Sequence, residues 1–501
     1  MSSARGYKKP VVVCPALDDE VLRRLERNDP EVVGLTIEGG DFWVKDAGRI
    51  IGENECLTVL HIVLQDAEWE EDSWLGDVCR GLAHNRSIEW LKLDVNECPV
   101  GPDIFHILGP FLENNHCLRC ITLEDFRNPD QLSSVASSLK KCKQLRLECI
   151  KVACHRATGD EAVASFFESL SNLHNLTDLV FDLYIGRMGC TALATLLQNP
   201  ASNIISLHPT FNNIIDDESI TIISDAIIEN SSLISLEVTG NGFVNMDERC
   251  ISSYGWGVFF GALSQSTNLQ HLCIGNDILL EGDFACLINT LDVNHSIKSL
   301  EFHWVVFPSR KVWRKFATWL KSPNATLSEL SICGTRINTK EKIAILMSLK
   351  ENRSIEKVNF EWTGDSEPGL WMGLSRLLCD ETSIDNTYSS NHTLHTFLVG
   401  TWNDDNEIPS KISTLLKLNE LDNKLKVARH KVLNVHFPED GTANQTLLRL
   451  PESILPHVLS WLGRDEHEFS AMYNAVQCFL FLFDSHRDTS SVDLDKRKSS
   501  W

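Results

Sequence analysis

Basic charge is in short supply: 46 Lys and Arg stand against 69 Asp and Glu in 501 residues, a formal net charge of −23 with histidine neutral. A protein that neutralises phosphates needs a basic face, so this balance argues against nucleic acid and anionic membrane surfaces as partners. Long apolar runs are missing as well. The longest purely apolar candidate, Phe479 to Phe483, falls far short of the roughly 18 residues a spanning helix needs. In the opening stretch the short apolar run Val11 to Leu17 contains Pro15 and leads straight into acids, which is unlike a cleavable secretory signal. The 16 cysteines are scattered singly, many inside apolar patterns. That usage fits reduced core thiols in the cytoplasm, with the nucleus as an alternative, rather than a disulfide framework.

Catalytic signatures are equally scarce. There is no Gly-x-Ser-x-Gly elbow and no phosphate-binding Gly-Lys-Ser/Thr loop; His467 and Glu468 begin a zinc-protease motif, but Ala471 takes the second ligand's place. Gly255, Gly257 and Gly261 are spaced too loosely for a dinucleotide loop and are read as part of a flexible loop. Cys117 and Cys120 have the spacing of a metal pair, yet they flank Leu118 within a strand and no second pair follows at a zinc-ribbon distance. They are read as structural thiols. The expectation is a non-enzymatic protein with no catalytic residue, cofactor or metal site.

With 43% apolar and 23% charged residues, the chain has ordinary globular composition, and its organisation is an internal repeat. An apolar residue recurs with apolar partners three and five positions later, most clearly at Leu233, Leu236 and Val238. Copies start at Leu57, Ile88, Leu118, Leu147, Leu176, Ile204, Leu233, Leu269, Ile297, Leu327, Ile355 and Leu394, at steps of 31, 30, 29, 29, 28, 29, 36, 28, 30, 28 and 39 residues. Val32 with Leu35 and Ile37, and Val432 with Val435 and Phe437, are weaker outer copies. Between copies the apolar residues fall at helical spacing, as in Phe284, Leu287, Ile288 and Leu291 or Ile343, Ile345, Leu346 and Leu349. Each unit is thus a short strand plus a helix, which must stack on its neighbours to bury both.

On these residues the chain resembles the leucine-rich-repeat family, of the ribonuclease-inhibitor-like type, over roughly Val32 to Phe437. The resemblance implies an α/β fold: a right-handed horseshoe solenoid with a parallel β-sheet on the concave side and helices on the convex side. The family's turn Asn after the strand is matched at Asn96, Asn212 and Asn241, while Phe126, Tyr184, Thr335, Thr363 and Trp402 replace it elsewhere. Pro209 stands at a strand core position, where it removes a ladder donor and predicts a local distortion. The expected layout is an N-terminal cap over 1–31, the solenoid over 32–437 with insertions near 242–257 and 364–391, a helical C-terminal cap over 438–483 and a disordered tail over 484–501. Ser410 to Arg429 reads as one helical stretch with Leu415, Leu418, Leu421, Leu425 and Ala428 on one side.

Several short motifs have a structural explanation. Asn-x-Ser/Thr triplets at Asn85, Asn175, Asn230, Asn294, Asn324, Asn352, Asn391 and Asn444 mostly precede a strand start, where Asn suits the left-handed end of a helix and Ser or Thr the following turn. Leu193, Leu196 and Leu197, and Leu374, Leu377 and Leu378, spell a coregulator pattern but supply the leucines each repeat helix needs for its core. The stretch Leu450 to Gly463 resembles the opening of an F-box, which would make the protein a substrate adaptor of a ubiquitin ligase.

The remaining signal lies at strand positions that alternate with the repeat leucines and so face the concave side. Asp94, Glu124 and Asp182 form an acidic column; His303, Trp304, Glu361, Trp362 and Trp402 gather in and beside the later strands. Tryptophans carry a large share of interface energy when a partner buries them, although the same rings can fill turns that lack the family Asn. The reading is a scaffold that binds a protein or peptide with a basic patch on this surface. Regulation of a small GTPase or a ribonuclease is a further alternative.

Overall fold

The computed structural model describes residues 18–38, 46–63, 74–94, 109, 111–126, 129–142, 146–154, 159–211, 216–240, 251–361, 368–400 and 408–436. Thirteen strands form one open parallel sheet in chain order: β1 Gly34–Glu38, β2 Val59–Val63, β3 Trp90–Asp94, β4 Cys120–Phe126, β5 Cys149–Cys154, β6 Asp178–Leu183, β7 Ser206–Phe211, β8 Ser235–Gly240, β9 His271–Gly275, β10 Ser299–His303, β11 Glu329–Cys333, β12 Lys357–Glu361 and β13 Thr396–Gly400. Helices alternate with the strands, from Asp19–Glu26 to Lys424–His436. The chain divides into two compact units, Met1–Trp319 with Pro323–Ile337 and Asn359–Gly364, and Leu320–Ser322 with Asn338–Val358 and Asp365–Trp501.

In the first unit the repeat leucines explain the sheet. Equivalent residues align across neighbouring strands, so Leu35, Leu60, Leu91, Ile121, Ile150, Leu179, Leu207, Leu236, Leu272, Leu300 and Leu330 make one continuous row. Every member is buried. Burial alternates along β3 and β6, because successive side chains of a strand point to opposite faces. The outer copy at Val32, Leu35 and Ile37 is realised as β1. Pro209 does disturb the ladder: β7 pairs with β8 at Ser206, Leu207, Thr210 and Phe211, and the pairing skips His208 and Pro209.

The helices present the expected apolar faces. Leu193, Leu196 and Leu197 in one unit and Leu374, Leu377 and Leu378 in the other are all core residues. Helices Ala47–Glu53 and Trp74–Leu82 approach through glycine, since a Cβ on Gly81 would lie 1.6 Å from the Gly48 carbonyl oxygen. Gly255, Gly257 and Gly261 sit in helix Ser253–Leu263 rather than in a loop. That helix is pulled into order by Trp256, fully buried and stacked on Phe260 at 5.0 Å.

In the second unit the long stretch from Ser410 is two helices, Ser410–Asn419 and Lys424–His436, parted at Glu420. Its buried faces are Ile412, Leu416 and Asn419, then Val427, Ala428, Lys431, Val432 and Leu433; Leu421 and Leu425 are exposed. Val432 and Val435 therefore lie in a helix and not in a further strand. Five-residue spacing cannot separate the two when helical and strand periods coincide over so short a run. Within the second insertion, helices Pro368–Leu378 and Ile384–Tyr388 lengthen the unit before β13.

The Asn-x-Ser/Thr recurrence has a different cause from a left-handed helix end. Asn230 and Asn294 are extended, with φ of −75° and −84°, as is Asn54 at the equivalent place in its repeat, with φ of −72°, and no described member of the set has positive φ. Instead the side chain does the work. Asn230 Oδ1 accepts from the backbone N–H of Ser232 and Leu233 at 2.9 and 2.7 Å, while Nδ2 donates to the Leu197 carbonyl of the preceding repeat at 2.6 Å. The same three-way bond recurs at Asn54, Asn85, Asn115 and Asn294. In the second unit Asn352 and Asn391 repeat it. All seven are buried, and with Nδ2 committed to carbonyls they are poor glycan acceptors. Among the described residues no helix is long and apolar enough to cross a membrane.

Candidate functional site

The sheet face opposite the leucine row carries the strand residues that alternate with it. On the early strands Asp94 and Glu124 are register neighbours, as the acidic column requires, but two lysines interleave with them. Lys92 Nζ lies 2.7 Å from Glu124 and 3.8 Å from Asp94, and Lys151 Nζ lies 2.7 Å from Glu124. Burial pushes the Glu124 carboxyl up, yet hydrogen bonds from Lys151 and Lys92 outweigh it and hold the group at about 2. Asp182 is set apart, since Ala153 stands beside it in the row. The column is thus broken, and its densest part carries its own cations.

On the middle strands a different polar group collects. His208 Nδ1 lies 2.9 Å from Glu237 and its Nε2 lies 2.6 Å from the hydroxyl of Ser206. With the carboxylate at Nδ1, that nitrogen carries a hydrogen; Nε2 accepts from Ser206 while the ring is neutral and donates to it when the ring is protonated. Ser206 is only 4% exposed, so the chain of bonds orients the ring on the surface rather than presenting a hydroxyl to solvent. Burial opposes ionisation of Glu237, but the hydrogen bond and charge of His208, then the charge of His303, hold its carboxyl below the usual range. Glu301 goes the other way: burial, reinforced by the nearby Glu237, pushes its carboxyl up. Among the described residues neither Glu301 nor Glu361 forms an ion pair with Lys or Arg. Burial also pushes the His303 ring down, with the Glu237 charge opposing.

Beyond the strands, three equivalent turn residues take the left-handed conformation: Asn276, Trp304 and Gly334, with φ of 49°, 57° and 64°. Each N–H donates to the carbonyl of the last residue in the next strand, His303, Cys333 and Glu361 respectively, at 2.8, 2.9 and 3.1 Å. Asn and Gly suit this conformation; a bulky aromatic does not. The indole of Trp304 lies on Gly334, where an added Cβ would come within 2.4 Å of the ring, and it stays 37% exposed beside His303. One position on, Thr335 occupies the family Asn position: buried, it accepts from the Val305 N–H at 3.2 Å.

Of the residues singled out in the sequence, Asp94 and Glu124 come together; His303 and Trp304 end one repeat, and Glu361 lies two strands further on, beyond β11. Trp362, Trp402, Asn96, Asn212 and Asn241 lie outside the described residues, as do most of the first insertion, the F-box-like stretch 450–463, the C-terminal cap and the tail. Lys92, Lys151, His208, Glu237 and Glu301 were not singled out. Their signal was present, since each occupies the central outward position of its strand.

Fold and surface define a repeat protein of stacked strand–helix units, similar in plan to leucine-rich-repeat proteins. The chain matches no model of a known protein family and no curated protein.

Proposed function

We propose that the protein is a non-enzymatic interaction scaffold of the ribonuclease-inhibitor-like repeat type, cytoplasmic or nuclear, binding a protein or peptide on the open face of its sheet. The observation that carries this reading is Trp304. Left-handed backbone costs a bulky residue on the order of 1–2 kcal/mol, and the equivalent turns avoid it with Asn276 and Gly334. An exposed indole kept at that cost is accounted for by a partner that buries it. Of the early acids, Asp94 and Glu124 are paired with Lys92 and Lys151, whereas Glu301 and Glu361 are left for a partner's cations; a basic segment suits them, and nucleic acid does not.

The test is capture from native lysate by wild-type protein beside Trp304→Asn, followed by titration of each captured protein, purified, against both forms. Asn is already used at the equivalent Asn276, so folding is retained and the indole alone is lost. The expected result is a direct partner whose affinity falls at least tenfold in the variant. Unchanged affinity for every partner would assign the indole to packing and end the reading.

A further inference from the structure

We infer that Cys120 and Cys149 are an oxidisable dithiol on the open face of the sheet, a modification site whose co-reactant is a peroxide. The two residues are register partners in β4 and β5, and both are thiols. Equivalent residues of neighbouring parallel strands face the same side at about 4.8 Å, inside the roughly 4.4–6.8 Å between Cα atoms that a disulfide spans. Their row continues to Trp90 on β3, so Cys120 is flanked on both sides and is 4% exposed, whereas Cys149 is half-buried. Among the described residues no other two cysteines are partners across neighbouring strands. Just beyond the pair, the register between β4 and β5 shifts between Leu123 and Phe126, so the ladder there is not held to uniform spacing when the sulfurs close.

Unequal exposure gives the order of events. The Cys149 thiolate attacks a peroxide oxygen; an S–O bond forms, the O–O bond breaks and hydroxide leaves, taking up a proton as water. Cys120 sulfur then displaces hydroxide from Cys149 sulfur, forming S–S as S–O breaks, and the Cys120 proton leaves with that hydroxide as a second water. Two thiols and one hydrogen peroxide thus become one disulfide and two waters. The product ties β4 to β5 beside the Lys151–Glu124 ion pair that spans the same strands. Oxidation therefore acts on the surface where the charged residues of the early repeats gather.

The experiment is peroxide treatment of the folded full-length protein, alkylation of remaining thiols, tryptic digestion without reductant and mass spectrometry. Cleavage after Arg119, Arg127, Arg146 and Lys151 places Cys120 in peptide 120–127 and Cys149 in peptide 147–151. The expected result is these two peptides joined and lighter by two hydrogens. The link disappears with dithiothreitol and in Cys149→Ser, and its yield falls sharply in urea. Both peptides recovered alkylated from oxidised, still folded protein would overturn the proposal. So would over-oxidation of Cys149 without a link, preferential bonding of either residue to Cys117, Cys142 or Cys154, or an equal yield in urea, which would credit chain proximity rather than the fold.

Discussion

Trp304 and Gly334 act as a pair. The indole rests where any side chain on Gly334 would stand, and Gly334 is itself at φ 64°. Gly334→Ala is therefore strained twice, by backbone and by overlap with the ring, and should destabilise the protein by about 1–3 kcal/mol, read as a lower denaturation midpoint in urea. Trp304→Asn runs in the opposite sense on the backbone, because the relief of about 1–2 kcal/mol offsets much of the lost packing of a partly exposed ring. Its midpoint should stay within about 1 kcal/mol of wild type. A larger loss would show the indole to be chiefly structural. Glu124 makes the contrasting case: with Lys92 and Lys151 both bonded to it, it stays ionised throughout the physiological range and offers a partner less net charge than the sequence suggests.

At the scale of the element, the turn into each strand is held by one amide. Asn230→Ala removes the acceptor of two backbone N–H groups and the donor to Leu197, leaving buried groups unpaired at about 1–3 kcal/mol each. A loss of at least about 3 kcal/mol is expected. Asn324 stands at the same place in its repeat but is exposed, and Asn324→Ala should change stability by less than about 1 kcal/mol. Equal losses in the two variants would show that burial of the amide is not what matters. Gly81→Ala tests helix contact instead. A Cβ at 1.6 Å from the Gly48 oxygen has only backbone to displace, so helices Ala47–Glu53 and Trp74–Leu82 must separate, at a cost on the order of 3 kcal/mol.

At the scale of the whole molecule, the second unit should be the acid-sensitive one. Lys431, 1% exposed, donates to the carbonyls of Leu378 and Asn391 at 2.7 and 3.0 Å and lies 3.2 Å from His392 Nδ1. Burial, with the charges of Lys424 and Arg353 against it, lowers Lys431 to about 7 from 10.5; burial and the Lys431 charge lower His392 to about 4 from 6.5. In both cases the unfolded chain binds more protons, so stability rises with pH across these windows. Raising the pH from about 7 to about 9 should stabilise through Lys431, before the buried thiols, raised from 9.0, oppose it at higher pH, and lowering it from about 6.5 to about 4 should destabilise through His392. Urea midpoints measured across that range should show both slopes, and Lys431→Met should flatten the alkaline one. A wild-type midpoint independent of pH between about 7 and about 9 would contradict the lysine's assignment.

The sequence by itself determined the period, the strand cores and the fold class, because a row of leucines and isoleucines recurring every 28 to 31 residues, with two longer steps of 36 and 39, can be buried only by stacking like on like. It also marked the Asn three residues ahead of most repeat starts, but assigned it to a left-handed helix end, whereas its amide bridges backbone groups of two repeats. What it left to the tertiary structure was everything that depends on neighbours distant in the chain. Lys92 and Lys151 neutralise Glu124 only because their strands flank β4. Cys120 meets Cys149, and the asparagine amide finds a carbonyl, one repeat away. Trp304 becomes conspicuous only through its backbone angle and the glycine beneath it. The helix break near Glu420 and the burial of Lys431 were hidden for the same reason: spacing along one segment records its period, while the partner that satisfies a charge or fills a face belongs to another segment.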